Sequence, residues 1–341
     1  MDVIKVEELA NLSDSYYKSA FATFKNSLKN DNKVETVSTL RSKLVPLLPP
    51  PSEPLRILSV GAGTGDFDYL LLQEIFLPHT KLIQYDALEP SAELHAMFEK
   101  RLAEFPVQGV RLFKTTYGDF ASSGDRSSYD VILFIHSMYY LPVDTIPSAM
   151  ESLLPSSGGT VVVMLDSASG HIPLHKALGM EEGPHTRCLN HVLEPIKEAG
   201  NSKLDSNLKY FEVFHMPQWL DVEECFTDGS QVGLDLLSFA VNRDLRVASR
   251  AVLEEIRSQA KLHLGLEEIG GRRHWWTPEG LALISNSSAA ATTHVDRSAF
   301  PNSFSNITEL GTSDRKRTSV TTCSRSMYEV MDVVITKDDG C

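Results

Sequence analysis

From residue 55 onwards the chain alternates between short apolar runs and longer segments with helical periodicity. Runs such as Val131–Ile135 and Thr160–Leu165 are apolar at consecutive positions, which is typical of strands buried on both faces of a parallel sheet. This order predicts a doubly wound, mostly parallel α/β sheet with ligands at the carboxyl ends of its strands. We predict seven strands, at 55–60, 81–88, 109–114, 130–135, 159–165, 208–215 and 275–285.

Two helical segments precede this sheet. The second, over 33–48, must end at the proline run 49–51, because proline has no backbone N–H to donate. We therefore assign residues 1–51 to an N-terminal helical cap. The first segment carries an aromatic stripe at helical spacing, which fits a helix packed on the core, a lid over a substrate, or both. The stripe consists of Tyr16, Tyr17, Phe21 and Phe24.

The remaining chain divides into a core and a tail. Residues 52–285 form the core in this prediction, with an insertion at about 216–274 that is a candidate second cap. Helical patterns lie near 230–241 and 246–262 within it. The Ser- and Thr-rich segment 286–341 has little to bury and is expected to be largely disordered, although its apolar end could add an edge strand.

The first strand runs directly into glycines at 61, 63 and 65, and a helix follows them. Glycine lets the backbone approach a ligand closely, and the first N–H groups of the helix point outward, so the junction predicts a site for an anionic or hydroxyl-rich ligand. A dinucleotide fingerprint would need its third glycine at position 66, where Asp66 stands. The spacing Gly-x-Gly-x-Gly is instead typical of S-adenosylmethionine-dependent methyltransferases.

The second strand ends at Glu89, about twenty residues beyond the glycine turn. A carboxylate there suits a bidentate hydrogen bond to two ribose hydroxyls. A carboxylate that only interacts with the dipole of the following helix fits the same position. Together with the glycine turn, Glu89 predicts a nucleoside site.

Composition narrows the classes of partner. The net charge of −13 opposes nonspecific binding to nucleic acid and favours a cationic small molecule. No apolar run is long enough to span a membrane, no signal-peptide core begins the chain, and the four cysteines show neither metal nor disulfide spacing. We expect a cytoplasmic, monomeric protein with no metal, no nucleic-acid partner and no membrane association.

From about residue 15 to residue 285 the chain resembles the histamine N-methyltransferase family. The glycine turn and the ribose-binding carboxylate are shared among methyltransferases. The stretches at 89–93, 138–140 and 225–229 are more specific to this family. The resemblance implies a seven-stranded class I methyltransferase fold, Rossmann-like, with a helical substrate cap. The matching stretches are 17–26, 57–65, 89–93, 138–140, 208–210 and 225–229.

The resemblance also implies the cofactor S-adenosyl-L-methionine and roles for particular residues. Gly61 would lie by the methionine portion of the cofactor, and Glu89 would bind its ribose. Asp119, next to Phe120, would contact the adenine, and Ile135 would supply a backbone contact from the fourth strand. The implied cofactor residues are therefore Gly61, Gly63, Gly65, Glu89, Asp119, Phe120 and Ile135.

The implied substrate residues depart from the family pattern. Asp31 is the nearest carboxylate to a family glutamate, His136 stands for a glutamine and Thr277 for an asparagine. Two family tryptophans become His171 and His175. Tyr139, Tyr140 and Phe239 keep the aromatic character of the corresponding family positions. The full predicted set is Phe21, Asp31, His136, Tyr139, Tyr140, His171, His175, Phe239 and Thr277.

We interpret the chain as a methyltransferase that N-methylates a small amine. Methyl transfer is an in-line displacement that needs alignment and exclusion of water rather than a nucleophilic residue of the protein. His136 is the candidate proton acceptor or substrate orienter. An O- or carboxyl-methyltransferase on the same scaffold and a non-catalytic nucleoside-binding protein remain as alternatives, and the glycine spacing disfavours a dinucleotide oxidoreductase.

Overall fold

A computed structural model of the chain describes residue 6 and residues 9–29, 33–123, 128–167, 171–180, 187–198 and 210–286. All of them lie within one compact unit, Met1–Ala299. The predictions made for Asp31 and for the tail beyond residue 286 lie outside the described residues. Among the helices described, none is long and apolar enough to cross a bilayer.

The strands form two sheets. A seven-stranded sheet has the order β3-β2-β1-β4-β5-β10-β6, and a three-stranded sheet has the order β7-β9-β8. In the larger sheet β10 runs antiparallel to both of its neighbours, while β1 to β5 pair in parallel. This confirms the predicted doubly wound, mostly parallel sheet. The strands are β1 (Leu55–Val60), β2 (Ile83–Leu88), β3 (Val110–Phe113), β4 (Val131–Ile135), β5 (Thr160–Asp166), β6 (Tyr210–Met216), β7 (Trp219–Asp221), β8 (Leu266–Ile269), β9 (Arg272–Trp276) and β10 (Glu279–Ser285).

Helices cover both faces of the larger sheet and build the cap. The first helix of the core continues beyond its α-helical part through a π-helical segment, Leu72–Phe76. Within the described part of the chain, the α-helices of six or more residues are α1 (Asp14–Ser27), α2 (Lys33–Leu44), α3 (Asp66–Leu71), α4 (Ala92–Glu104), α5 (Tyr117–Ser122), α6 (Thr145–Ser152), α7 (Ile172–Ala177), α8 (Leu189–Glu198), α9 (Gln231–Val241) and α10 (Arg250–His263).

The core lies on the central strands, as their continuous apolar runs predict. Ile57 of β1, Leu133 of β4 and Val162 of β5 are fully buried in one hydrophobic cluster. Burial of an aliphatic side chain of this size stabilises the fold by about 1.5–3 kcal/mol. These rigid strands bring their carboxyl ends to a single edge, where the candidate site lies.

The predicted seventh strand at 275–285 is two strands, and the single-strand prediction is wrong. β9 ends at Trp276, and β10 begins at Glu279 after Thr277 and Pro278. Because proline has no N–H to donate to a ladder, the pairing changes at this point. Trp275 and Trp276 therefore pair with β7 in the smaller sheet instead of extending the core sheet.

The aromatic stripe of α1 packs on α9, a helix of the insertion. The Tyr16 hydroxyl donates to Asp235 at 3.0 Å, and its oxygen lies 3.1 Å from Oγ of Ser238. On the same side, the Phe239 ring lies 4.7 Å from the Phe24 ring and 5.6 Å from the Phe21 ring. The N-terminal helix and the insertion, distant in sequence, thus form one layer beside the edge of the sheet.

Candidate active site

The glycine turn after β1 adopts a conformation that L-amino acids rarely accept. Gly61, Gly63 and Gly65 have φ values of 69°, 60° and 73°. A Cβ on Gly61 would lie 2.7 Å from Cβ of Ser137, and one on Gly65 would lie 2.2 Å from the Phe98 ring. A Cβ on Gly63 would meet nothing within 4 Å. Gly63 therefore presents bare backbone to open space, where a ligand could approach.

Glu89 joins the end of β2 to this turn. Its carboxylate is buried, with the residue 6% exposed. One oxygen accepts the Gly63 N–H at 2.8 Å and the other accepts the Ser91 N–H at 2.8 Å. Each carboxylate oxygen has a second lone pair, so the side chain can still accept two hydroxyl groups.

The remaining predicted cofactor residues lie along the same edge. Asp119, in the first turn of α5, accepts the Thr116 hydroxyl at 2.7 Å and donates its own N–H to that hydroxyl at 3.1 Å. Phe120 is 8% exposed and packs between other aromatic rings of the core. Ile135 is the last residue of β4. The structure thus brings the predicted residues to the ends of four adjacent strands, β3, β2, β1 and β4.

These residues fit an S-adenosylmethionine molecule. Ser137 is buried against Gly61, and its hydroxyl has no hydrogen-bond partner within the described part of the chain. A buried polar group without a partner costs free energy that a ligand can recover. The open backbone at Gly63 and the spare lone pairs of Glu89 lie on the same turn. The described residues contain no cluster of His, Cys, Asp and Glu that could bind a metal ion.

A cavity lies beside the cofactor edge, between the sheet and the cap. Two predicted substrate residues lie outside its lining and contact residues that belong to it. The Phe21 ring packs on Phe239, and His136 stacks on Tyr139 with ring centroids 6.2 Å apart. Six of the predicted residues line the cavity: Tyr139, Tyr140, His171, His175, Phe239 and Thr277. Six further residues also line it: Tyr17, Phe24, Asp166, Ala240, Asn242 and Trp275.

His136 has an unusual backbone and a charged partner. It adopts φ 51° directly after β4, and its N–H donates to the Met164 carbonyl at 2.8 Å. Its Nε2 lies 3.2 Å from Oε1 of Glu279, and the side chain is 37% exposed. Burial lowers the pKa of His136, but the hydrogen bond and charge of Glu279, together with Asp166, raise that pKa above its ordinary value. His136 is therefore stabilised as a cation.

Asp166 ends β5 on the cavity wall, and neighbouring residues fix its position. Its N–H donates to the Tyr139 hydroxyl at 3.1 Å. Burial and the negative charge of Asp166 raise the pKa of Tyr139 well above its ordinary value, so the phenol stays protonated. Nδ1 of His171 lies 3.8 Å from Oδ2 of Asp166.

The two histidines of α7 have different environments. His175 is 2% exposed, and its Nε2 lies 2.6 Å from the Ala240 carbonyl oxygen, so it ties α7 to α9. His171, one turn earlier, is the more accessible ring, with its side chain 15% exposed beside Asp166. A contact with substrate is therefore easier for His171 than for His175.

Sequence reasoning did not single out Asp166, although a signal for it existed. Asp166 is the polar residue that ends the fifth strand, as Glu89 does for the second. Strand-end carboxylates are candidates at this edge of any doubly wound sheet. Trp275 was assigned to the core strand, so its place in the cavity wall was not foreseen.

The strand order, the reversed β10 and the glycine turn with its strand-end carboxylate define a class I methyltransferase fold. No family model matches the chain. It is 27% identical to histamine N-methyltransferase of Xenopus tropicalis over 241 residues, covering 67% of this chain and 80% of the relative. Danio rerio histamine N-methyltransferase is 28% identical over 198 residues, 54% of this chain and 64% of that protein. Carnosine N-methyltransferase 2 of Gallus gallus is 25% identical over 201 residues, 54% of this chain and 59% of that protein.

These relatives confirm the resemblance to histamine N-methyltransferases and agree with the prediction of S-adenosylmethionine as the cofactor. Among solved structures, the plantazolicin methyltransferase BpumL in complex with SAH superposes with a TM-score of 0.41 at 14% identity, covering 80% of this chain and 91% of that one. The plantazolicin methyltransferase BamL superposes with a TM-score of 0.41 at 10% identity, covering 79% and 90%. Likenesses of this size carry no inference about the acceptor.

Proposed function

We propose that the protein transfers a methyl group from S-adenosylmethionine to the nitrogen of a small amine. The observation that carries the proposal is the short distance in sequence between the two halves of the site. Ser137 abuts the glycine turn, and Tyr139, two residues later, lines the cavity. A ligand on the turn and a ligand in the cavity would therefore lie next to each other.

S-adenosylmethionine supplies a methyl group bound to a positively charged sulfur. The glycine turn would bind its methionine portion, Glu89 its ribose hydroxyls, and Asp119 the amino group of its adenine. Phe120 would flank the adenine base, and Ile135 would supply a backbone contact to the cofactor. Most of the acceleration in such a displacement can come from alignment and from exclusion of water. The packed aromatic wall of α1 and α9 supports exclusion of water.

An amine must be neutral when it attacks, so the site has to accept a proton. Glu279 lies 3.2 Å from Nε2 of His136 and favours the protonated form of that ring. We therefore assign His136 the orienting role of the two that the sequence left open. His171, beside Asp166 on the cavity wall, is better placed to receive the proton, directly or through water.

An acceptor panel tests the proposed function. The full chain would be incubated with methyl-labelled S-adenosylmethionine and with amines matched to phenols and carboxylic acids of the same carbon skeleton. We expect label transfer to amine nitrogen, and reduced transfer in Glu89→Ala when S-adenosylmethionine is below saturation. Transfer only to phenols or acids would replace nitrogen by oxygen as the acceptor. Tight binding of S-adenosylhomocysteine without transfer to any compound would indicate a non-catalytic nucleoside-binding protein.

A further inference from the structure

Asp166 is the sole carboxylate among the described residues that line the cavity. Its side chain is 29% exposed, so it reaches the cavity while most of it is shielded from bulk water. The rings of Tyr17, Tyr139, Tyr140 and Phe239 line the same cavity. A carboxylate among aromatic faces forms an environment of negative potential.

Within the described ranges, Asp166 forms no ion pair with a lysine or an arginine. Its partner is His171, at the long distance of 3.8 Å. Glu279 lies opposite Asp166 on β10 but is turned to His136 at 3.2 Å. Glu279 thus has a histidine at hydrogen-bond distance, whereas Asp166 has His171 at 3.8 Å, the Tyr139 hydroxyl and the more distant charge of His136.

A partly buried carboxylate with weak compensation is costly unless a cation or hydrogen-bond donors meet it. The Asp166 N–H donates to the Tyr139 hydroxyl at 3.1 Å, which holds the backbone that carries the carboxylate at the cavity wall. Charge-assisted hydrogen bonds in such a setting are among the stronger ones in proteins.

We propose that Asp166 binds the ammonium group of the acceptor and so selects cationic amines with an apolar or aromatic body. This rests on the proposed function and names the residue that sets its specificity. The aromatic rings would contact the body of the amine and add cation–π attraction. The chain thereby places its cation-binding carboxylate at the end of β5, on the rigid sheet.

Binding of a matched pair of probes tests the proposal without turnover. The full chain, saturated with S-adenosylhomocysteine, would be titrated with 2-phenylethylamine and with 2-phenylethanol, which differ in charge at nearly constant shape. We expect the wild-type protein to bind the amine at least about tenfold more tightly than the alcohol. Asp166→Asn, which keeps the size of the side chain, should lose that preference and change the affinity for the alcohol by less than about threefold.

Two other variants sharpen the comparison. Asp144→Asn removes the same charge from an exposed position at the start of α6 and should leave the preference intact. Glu279→Gln removes the carboxylate opposite Asp166, and this variant should also retain most of the preference for the amine. Loss of the preference in Glu279→Gln but not in Asp166→Asn would overturn the proposal, as would a wild-type protein that does not prefer the amine.

The variants must be folded for these outcomes to count. Thermal melting and the affinity for S-adenosylhomocysteine would be measured for each, and Asp166→Ser would replace Asp166→Asn if the latter does not fold. Retained preference for the cation without methyl transfer to any amine would refute the proposed function alone. Methyl transfer to amines with an unchanged preference in Asp166→Asn would refute the role of Asp166 alone.

Discussion

Asp166 and Glu279 lie directly opposite each other at the ends of the antiparallel strands β5 and β10, and each carboxylate has a histidine partner. Side chains opposite each other in such a pair share one face of the sheet, and like charges there repel. His136, 3.2 Å from Glu279 and favoured as a cation, offsets this repulsion. The protonation of His136 is therefore coupled to the stability of this edge.

This coupling predicts a pH dependence of stability. The pKa of His136 is raised in the folded protein above its ordinary value of about 6.5. Stability from a raised pKa is fully present below the unfolded value and is lost as pH rises through the folded value. We expect the difference in melting temperature between wild type and Glu279→Gln to be larger at pH 6 than at pH 9. Because the His136–Glu279 pair is partly exposed, it should contribute about 1 kcal/mol or less to stability, which corresponds to a few degrees in melting temperature.

Asp144→Asn serves as the control for this measurement, because its exposed carboxylate accepts no helix-capping hydrogen bond. The difference in melting temperature between Asp144→Asn and wild type should be nearly the same at pH 6 and at pH 9. A Glu279→Gln difference that grows towards pH 9 would contradict the assignment of the ion pair.

The glycine turn predicts two distinct effects of adding one methyl group. Gly61→Ala and Gly63→Ala both place a side chain at positive φ, at a cost of about 1–2 kcal/mol each. Gly61→Ala also forces its Cβ to 2.7 Å from Cβ of Ser137, whereas Gly63→Ala meets open space. Melting should show the larger loss of stability for Gly61→Ala, and calorimetry should show weaker S-adenosylhomocysteine binding for both. Unchanged affinity in both variants would mean that the cofactor site is elsewhere.

Glu89→Ala should weaken S-adenosylmethionine binding by about 1.5–3 kcal/mol, the scale for losing charge-assisted hydrogen bonds. The loss has two sources, the ribose contact and the support that the carboxylate gives to Gly63 and Ser91. Glu99→Ala, on the exposed side of α4, is the matched control and should leave the affinity unchanged. Equal affinities for the two variants in a calorimetric titration would remove Glu89 from the site.

Truncation tests the boundary of the core. All seven strands of the larger sheet lie between Leu55 and Ser285, and Asn286 accepts the Gly159 N–H at 2.7 Å through its side chain. Deletion of 287–341 should shift the melting temperature by only a few degrees, and deletion of 286–341 slightly more. A drop beyond about 8 °C for the shorter deletion would show that a segment beyond Asn286 completes the core, since 1–2 kcal/mol moves a domain of this size by less.

We expect histamine to be a poor or secondary acceptor. Three positions at which the family resemblance implies groups that bind imidazole carry Asp31, His136 and Thr277 instead. Sites built to hydrogen-bond a particular group discriminate strongly, because an unmatched buried polar group is costly. Steady-state kinetics with histamine at a kcat/KM above about 10⁵ M⁻¹s⁻¹ would overturn this expectation. In that case alanine variants of Asp31 or His136 should lose the activity.

The sheet could be predicted from sequence because its central strands are continuous apolar runs. The bounds of β1 match the predicted 55–60, those of β4 differ by one residue at the first end, and those of β5 differ by one residue at both ends. The positions of the glycine turn and of the strand-end carboxylate could be predicted as well, since both have fixed places in this topology. Local sequence therefore determines this half of the molecule.

The smaller sheet could not be predicted in the same way. β9 is rich in charge and aromatic residues, and its pairing with β7 is set by tertiary contacts across the cap. One local signal was overlooked: Gly270 and Gly271, with φ values of 61° and 75°, form the two-residue turn between β8 and β9. Two consecutive glycines between short strands are typical of a tight hairpin.

The cavity wall formed by α1 and α9 comes from segments more than 200 residues apart in the chain, connected through the Tyr16 hydroxyl and the rings around Phe239. A ligand that fills the cavity contacts residues of both segments, so its binding should stabilise their packing. Ligand binding in the cavity is then thermodynamically linked to local opening of the N-terminal helix α1. Ligands that bind behind the helix should slow amide hydrogen exchange along α1.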